Sequence, residues 1–380
     1  MAFGEDVKTL RSAPPALPSF GRRYHSLHRP RNAHPASGSP EWRVHGEFVT
    51  LRGMASPVKA ARSPRPPAAG SPPITSRDNR WLKEFRIALR GGLPTESGSV
   101  GVEGVRLVEE ALRSGRPVQA VLFSESGERH HERLSPLIDR PEIAIPILRT
   151  TDRLFEGIAD TEHPQGVAAL VTPRAATFDD LLRSPVEACS PLLVVLAGVQ
   201  DPGNVGTILR TASAFGATGA VTAASGVSGT ASPFSPKALR ASAGAALHLP
   251  VLAGMSLPIL LTQLRVAGVR TLASVSHAAS ATMQLRPEPT SESQAQLDDI
   301  STAPLAPWDV DWCEPVALLV GNEGAGLPDE VERSADARIR IPMASGVESL
   351  NAAAAAAVLF YEAARQRKSI AAPSVKKDRA

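Results

Sequence analysis

The sequence predicts an α/β protein built from two units, and three observations carry the prediction. Short apolar runs alternate with stretches of helical period, first over about 102–171 and again from 192 onward. The run Leu192 to Ala197 is apolar at every position, the mark of a strand buried on both faces of a parallel sheet. Between the two regions, PRAATFDDLLRSPVEACS reads as a linker at 173–190. A chain of 380 residues with 43% hydrophobic composition is long enough to bury a core in each unit.

Ahead of the first unit, residues 1–77 carry 12 Lys and Arg against 4 Asp and Glu, which leaves 29 against 34 for the remaining 303 residues. The body is therefore mildly acidic although the net charge is +3. Prolines recur too densely here for a helix or a central strand, so residues 1–75 are expected to form a disordered basic extension. Such an arm attracts nucleic acid. The competing readings are an extension without a role and an organelle transit peptide, the latter opposed by the prolines. No run approaches the roughly 18–20 apolar residues of a membrane span, and no early segment resembles a secretory signal. A soluble cytoplasmic protein with no membrane partner is expected. Cys189 and Cys313 lie far apart, and no two histidines have ligand spacing in an apolar context, which argues against a metal site and a disulfide framework.

The elements follow in order. Ser76 or Asp78 caps a helix through Trp81, Leu82, Phe85, Ile87 and Leu89, and a Gly/Ser-rich turn occupies 91–99. Next come a helix at about 102–114, a strand at 118–123, a helix near 130–139, a strand at 143–148, a helix from Thr151 and a strand at 166–171. His163, in HPQG, reads as a turn residue. In the second unit, strands are expected at 192–198, 218–223, 248–252, 269–275, 316–321 and 337–341. Helices are expected at 204–215, 236–246, 256–267, 328–333 and 349–367. Residues 277–312, rich in Ser, Pro, Gln and acids, are longer than a normal connection and are expected to be a mobile insertion. Residues 369–380 are expected to be a disordered tail.

Chemistry in such a fold gathers where loops leave the carboxyl ends of the strands, and three loops carry the polar residues. In AGVQDPGNVGTILRTASAFG (197–216), a turn at Asp201-Pro202-Gly203 opens a helix with Asn204 near its start. Arg210 follows among apolar neighbours, where a cation needs an anion or a partner. In LLVGNEGAGLP (318–328), Gly321, Asn322 and Glu323 break a buried strand. Its glycine order is not the dinucleotide fingerprint, and no Walker lysine follows. In IPMASGVESLN (341–351), Ile341 and Met343 lead to Ser349 or Glu348 near the N-terminus of a helix that carries Leu350 and Asn351 and then six alanines. Alanine is the best helix former, but six small side chains also admit another backbone or a flat ligand.

Together the segments NVGTILRTASAFG, GNEGAGL and IPMASGVESLN resemble the SpoU (TrmH-like) class of the SPOUT RNA 2′-O-ribose methyltransferases. The likeness covers about 190–367, and SPKALRASAGAALHLPV at 235–251 resembles the family's middle region. More weakly, SRDNRWLKEF, GVEGVRLVEEAL and HPQGVAAL are similar to the L30e/L7Ae-type RNA-binding module found ahead of many members. Where many members continue SLNVS, this chain reads SLNAAA and lacks a hydroxyl at position 353.

Periodicity alone draws an open doubly wound sheet, and chains seldom thread loops. The resemblance implies instead an α/β knot domain, a deep trefoil with a parallel sheet, at 191–368, preceded by a small L30e-like substrate-binding domain at 76–172. It implies S-adenosylmethionine as cofactor, with Gly321, Asn322, Ile341, Met343 and Leu350 as contacts. It implies a homodimer whose active site is completed across the interface. It implies methyl transfer to a ribose 2′-hydroxyl of RNA, with Arg210, Asn204, Glu323, Ser349 and Asn351 at the functional positions. The family proposal makes the arginine a general base. A guanidinium is always protonated, so Arg210 is better read as gripping the target phosphate, and the base stays open. Ribosomal RNA is favoured over transfer RNA because of the extra module. The rivals are a non-catalytic RNA-binding ribosome-assembly protein and a nucleotide-binding oxidoreductase, the second opposed by the missing fingerprint.

Overall fold

The computed structural model describes residues 72–139, 145–184, 189–224, 229–276, 303–344 and 347–371. The expectations for residues 1–71, for 277–302 of the insertion and for the tail past 371 lie outside the described residues.

Helix α1 (Arg80–Leu89) starts at Asn79, whose Oδ1 accepts the Trp81 N–H at 2.9 Å. Asn79 therefore caps it in place of Ser76 or Asp78, while the Ser76 hydroxyl accepts the Asp78 N–H in the preceding turn. Trp81, Leu82, Phe85 and Leu89 are buried, but Ile87 lies on the outer face, 45% exposed. The expected helix at 102–114 is two elements. β1 (Val100–Glu103) is a strand, and α2 (Val105–Arg113) begins only after Gly104, whose φ of 94° suits glycine and ends the strand. A run of valines with glycine reads equally well in either period, and tertiary pairing decides it.

A short 3₁₀ turn leads into α3 (His131–Ile138), and β2 (Val118–Ser124), β3 (Ile147–Thr150), α4 (Asp152–Glu156) and β4 (Val167–Val171) complete the first unit. Its sheet runs β1-β4-β2-β3, with β4 antiparallel to both neighbours and β2 parallel to β3.

The linker contains a helix of its own. Thr177 and Asp180 form a reciprocal capping box that starts α5 (Phe178–Leu182), and Leu181 is fully buried against Gly219, where a Cβ would sit 2.6 Å from the leucine.

The second unit is a six-stranded, all-parallel sheet. Its elements are β5 (Leu192–Ala197), α6 (Pro202–Ala214), β6 (Gly219–Ala224), α7 (Pro236–Ala241), α8 (Ala245–His248), β7 (Val251–Ser256), α9 (Leu257–Val266) and β8 (Arg270–Ser274). After these come β9 (Val316–Val320), α10 (Asp329–Ser334), β10 (Ala337–Ile339) and α11 (Ala352–Ala371). The strand order is β10-β8-β9-β5-β6-β7. Every residue of β5 and β9 is buried, and each Leu or Val there contributes about 1.5–3 kcal/mol.

Two expectations need correction here. The helix at 236–246 is broken at Ala243 (φ 49°) and Gly244 (φ 83°), a left-handed pair that no continuous helix accommodates. Ahead of the break α7 presses on α6: a Cβ on Gly206 would lie 2.2 Å from the Ala238 carbonyl oxygen. The last part of the expected mobile insertion is built into the core. Leu305 bridges Ile339 in parallel, and Trp312 is fully buried with its Nε1 donating to the Pro307 carbonyl at 2.8 Å.

The chain first adds strands on one side of β5, then returns to place β9 on the other. β5 and β9 thus flank the point where strand order reverses, and a crevice opens beyond their carboxyl ends. Two of the three polar loops leave the sheet there.

Candidate active site

The loop after β9 is locked by its own backbone. Asn322 and Gly326 exchange both N–H···O bonds, at 2.9 and 3.0 Å, and the Asn322 Oδ1 accepts the N–H groups of Gly324 and Ala325. The turn brings Gly326 against Gly321, where a Cβ would lie 2.4 Å from the Gly326 carbonyl carbon, so only glycine fits. The Asn322 Nδ2 donates across the switch point to the Gly198 carbonyl at 3.0 Å, tying the loops after β5 and β9 together.

The loop after β5 is organised by Asp201. Its carboxylate caps α6 by accepting the Asn204 N–H and also accepts from the Lys237 Nζ at 2.6 Å. The lysine bond and then the Gly203 N–H hold the Asp201 carboxyl below the usual carboxylate range, against a smaller opposing effect of burial.

Asn204 is the centre of the site. Its Nδ2 donates to the Glu323 Oε1 at 2.9 Å, and its Oδ1 accepts from the Asn351 Nδ2 at 3.1 Å. Asn351 caps α11 at the same time, its Oδ1 accepting the Ala353 and Ala354 N–H groups. The helix thus begins at Ala352, beyond the Glu348 or Ser349 start expected. Glu323, Asn204 and Asn351 form one hydrogen-bonded chain across all three loops. Burial works to raise the Glu323 pKa. The bond from Asn204, with the N–H groups of Glu323, Gln200 and Asp201, outweighs burial and holds the carboxyl below its usual range.

Beside this chain lies a cleft of about 780 Å³, within the range of small-molecule sites. Gly321, Asn322, Ile341, Met343 and Leu350, the five positions expected to contact a cofactor, all line it, together with Glu323 and Ser349. Ala352 and Ala355 form part of the wall, so the small residues of the alanine run do leave room for a ligand. Sequence reasoning missed Ser274, Val275 and Ser276 from the end of β8, and Asp329 and Arg333 of α10. The switch-point rule was the signal that could have found the β8 residues, since β8 neighbours β9. Apolar side chains, a glycine-rich backbone and an acidic rim of Glu323, Asp329 and Glu348 suit an organic ligand with a flat apolar part and a positive charge.

The remaining expected residues stand apart. Ser349 is exposed at the cleft with no hydrogen bond to a described residue. Arg210 is exposed on α6 beside Thr207 and Ala214. It makes no hydrogen bond or ion pair among the described residues and does not line the cleft. Within one chain, the apolar neighbourhood read from sequence does not enclose it.

The SpoU rRNA Methylase family profile matches residues 191–361, and the profile for RNA 2'-O ribose methyltransferase substrate binding matches 102–176. An uncharacterized tRNA/rRNA methyltransferase of Synechocystis is 31% identical over 300 residues, covering 79% of this chain and 96% of the relative. The chain belongs to the SpoU family. A further relative, the 23S rRNA (uridine(2479)-2'-O)-methyltransferase of Streptomyces viridochromogenes, is 32% identical over 81% of this chain and 96% of its own length. Among solved structures, an AdoMet-bound rRNA methyltransferase from Sinorhizobium meliloti superposes with a TM-score of 0.60 at 28% identity. That match covers 77% of this chain and 97% of the other. The two SpoU profiles fall on the two sheets described above, and the methylase match contains every residue of the Glu323–Asn204–Asn351 chain. No helix among the described residues is long and apolar enough to cross a membrane. Among them no group of His, Cys, Asp and Glu could hold a metal.

Proposed function

We propose that this SpoU protein transfers a methyl group from S-adenosylmethionine to a ribose 2′-hydroxyl of ribosomal RNA, acting as a homodimer. The observation that carries the reading is the Glu323–Asn204–Asn351 chain at the mouth of the switch-point cleft. The cleft fits the cofactor: the backbone of the 321–326 loop with Ile341, Met343 and Leu350 would hold its apolar part, and the acidic Glu323, Asp329 and Glu348 would suit its positive charge. When bound, the cofactor supplies an electrophilic methyl group. The protein's own residues must then bring the ribose oxygen in line and accommodate its proton.

Asn204 and Asn351 present amide groups fixed by mutual bonds, so they orient the ribose at no reorganisation cost. Glu323, with its proton affinity lowered, is a poor base and acts by holding Asn204 in place. Arg210 binds the target phosphate and favours the ionised hydroxyl through its charge, and Ser349 offers its free hydroxyl to the bound substrates at the cleft.

Arg210 reaches a cleft only if a second copy brings it there. The face shared by α6 and α11 offers Val358 and Tyr361, 43% and 59% exposed, for that contact, and the Phe215 ring packs edge-on against Tyr361 behind it. A deep trefoil knot belongs to the same reading. Asn351 returns to Asn204, and Ile341 and Leu350 line the same cleft as Gly321, the layout expected of a chain drawn behind the 318–328 loop. In this reading 76–172 is the RNA-binding domain, 173–190 the linker and 191–368 the methyltransferase domain, working in the cytoplasm. Ribosomal RNA is preferred because a relative named for 23S rRNA aligns over both units.

The test is methyl transfer from labelled S-adenosylmethionine to separate pools of unmodified ribosomal and transfer RNA, followed by nucleoside analysis. A labelled 2′-O-methylnucleoside from ribosomal RNA is expected. Label in the transfer RNA pool alone would reassign the substrate. Failure to bind the methyl donor, with no label in either pool, would favour a non-catalytic RNA-binding role.

A further inference from the structure

The fold brings together the only two cysteines of the chain, which the sequence sets far apart. Both are free and half-buried. β5 and β9 are parallel neighbours with Leu192 opposite Val316, so Cys189 and Cys313 each stand three residues ahead of a paired position, in matching register. The Val316 N–H donates to the Pro191 carbonyl at 3.0 Å, which extends the pairing one step toward the cysteines.

Arg367 of α11 clasps the same place. Its Nη1 donates to the Ser190 carbonyl at 2.6 Å and its Nε to the Trp312 carbonyl at 2.7 Å. Its Nη2 donates to the carbonyls of Pro191 and Glu314 at 3.2 and 3.1 Å. One guanidinium thus holds the residues on both sides of Cys313 and the two residues that follow Cys189. That group is a rigid planar fork, so it fixes the two segments relative to each other. The paired positions Leu192 and Val316 lie on adjacent strands, which are about 4.8 Å apart in a sheet, and the clasp carries that closeness back toward the cysteines, where a disulfide spans a Cα separation of about 4.4–6.8 Å.

We propose that Cys189 and Cys313 are an oxidation site: hydrogen peroxide converts them to an intramolecular disulfide that cross-links the starts of β5 and β9. The first thiol attacks a peroxide oxygen. The O–O bond breaks, one water leaves and a sulfenic acid forms. The second thiol attacks that sulfur, the S–O bond breaks, a second water leaves and the S–S bond forms. The two thiols supply the two electrons that reduce the peroxide. Burial, and then the neighbouring Asp311 carboxylate, push the Cys313 thiol up, with Arg367 opposing them. The site lies at the amino ends of the strands, opposite the cleft. The cross-link therefore secures the join between linker and sheet without touching the residues of methyl transfer.

The full-length chain, reduced and then treated with dilute hydrogen peroxide, tests this by peptide mass mapping without reductant. The expected product is a Cys189–Cys313 peptide pair lighter by two hydrogens, reversed by dithiothreitol and missing in Cys189→Ser and Cys313→Ser. Because the bond closes a loop of more than about 120 residues, oxidation should also raise the melting temperature of the wild type by several degrees and leave both variants unchanged. Separate sulfinic acids on the two cysteines, or cross-links only between molecules, would overturn the proposal. The mapping needs only the wild type, so a variant that folds poorly does not blunt it.

Discussion

The two ends of α6 make an instructive contrast. At its start, Asp201 and Asn204 have their polar atoms occupied by Lys237, Glu323 and Asn351, and three loops distant in sequence meet in one bonded chain. Farther along, Arg210 stands exposed beside Thr207 and Ala214, with no hydrogen bond or ion pair to another described residue. The first end is finished within one chain. The second carries a charge to which the proposed dimer gives a purpose, with the exposed Val358 and Tyr361 of α11 offered for the contact.

The sharpest way to break the contrast is Arg210→Ala. Loss of one preorganised charge at a reacting centre typically costs about 100-fold or more in turnover, and kcat should fall by that order while S-adenosylmethionine affinity, measured by calorimetry, stays unchanged. An equal loss of both would place Arg210 in the cofactor site. Gly321→Ala should do the reverse of Arg210→Ala. The added methyl collides with the Gly326 backbone, so cofactor affinity should drop at least tenfold, with a destabilisation of about 1–3 kcal/mol in denaturant titrations. Unaltered affinity would show that the loop can open without consequence.

Val358→Asp places a charge in the exposed apolar face. Sedimentation should show monomers that still bind cofactor but have lost most of their turnover. A fully active monomer would remove the need for a second copy.

The smallest effect concerns Glu323. Its folded pKa is depressed, so its contribution to stability is complete above the ordinary glutamate value of roughly 4.3 and is lost as pH falls through that value and below. Melting curves between about pH 3 and 6 should lose slightly more stability toward acid in the wild type than in Glu323→Gln. Parallel curves would mean that its hydrogen bonds do not favour the charged form.

The same contrast marks what the sequence could disclose. Local features were legible: the uninterrupted apolar run of β5, the glycines around Asn322 and the alanines of α11 each follow from short-range chemistry. The three motif loops were legible too, and all five expected cofactor contacts line one cleft. Elements decided by pairing at a distance were not. Val100 to Glu103 becomes a strand because β4 lies beside it, and SAGA breaks a helix where α2 lies against it, a Cβ on Gly244 falling 2.6 Å from the Glu110 side chain. Asn351 was legible as a motif residue, but its bond to Asn204 depends on how the last loop returns to the first. The nearness of Cys189 to Cys313 arises in the same way, from strand order that spacing along the chain does not encode.

The central claim is that one chain supplies the cleft and its partner supplies Arg210. Co-refolding Arg210→Ala with Gly321→Ala tests it most directly, because the mixed dimer holds one intact cleft facing one intact arginine. At a methyl-donor concentration that suffices for the wild type but falls well below the weakened affinity of Gly321→Ala, two poorly active proteins should regain a substantial fraction of wild-type methyl transfer on mixing. A mixed dimer, confirmed by mass, that stays as inactive as its parents would show that Arg210 serves its own chain and contradict the account.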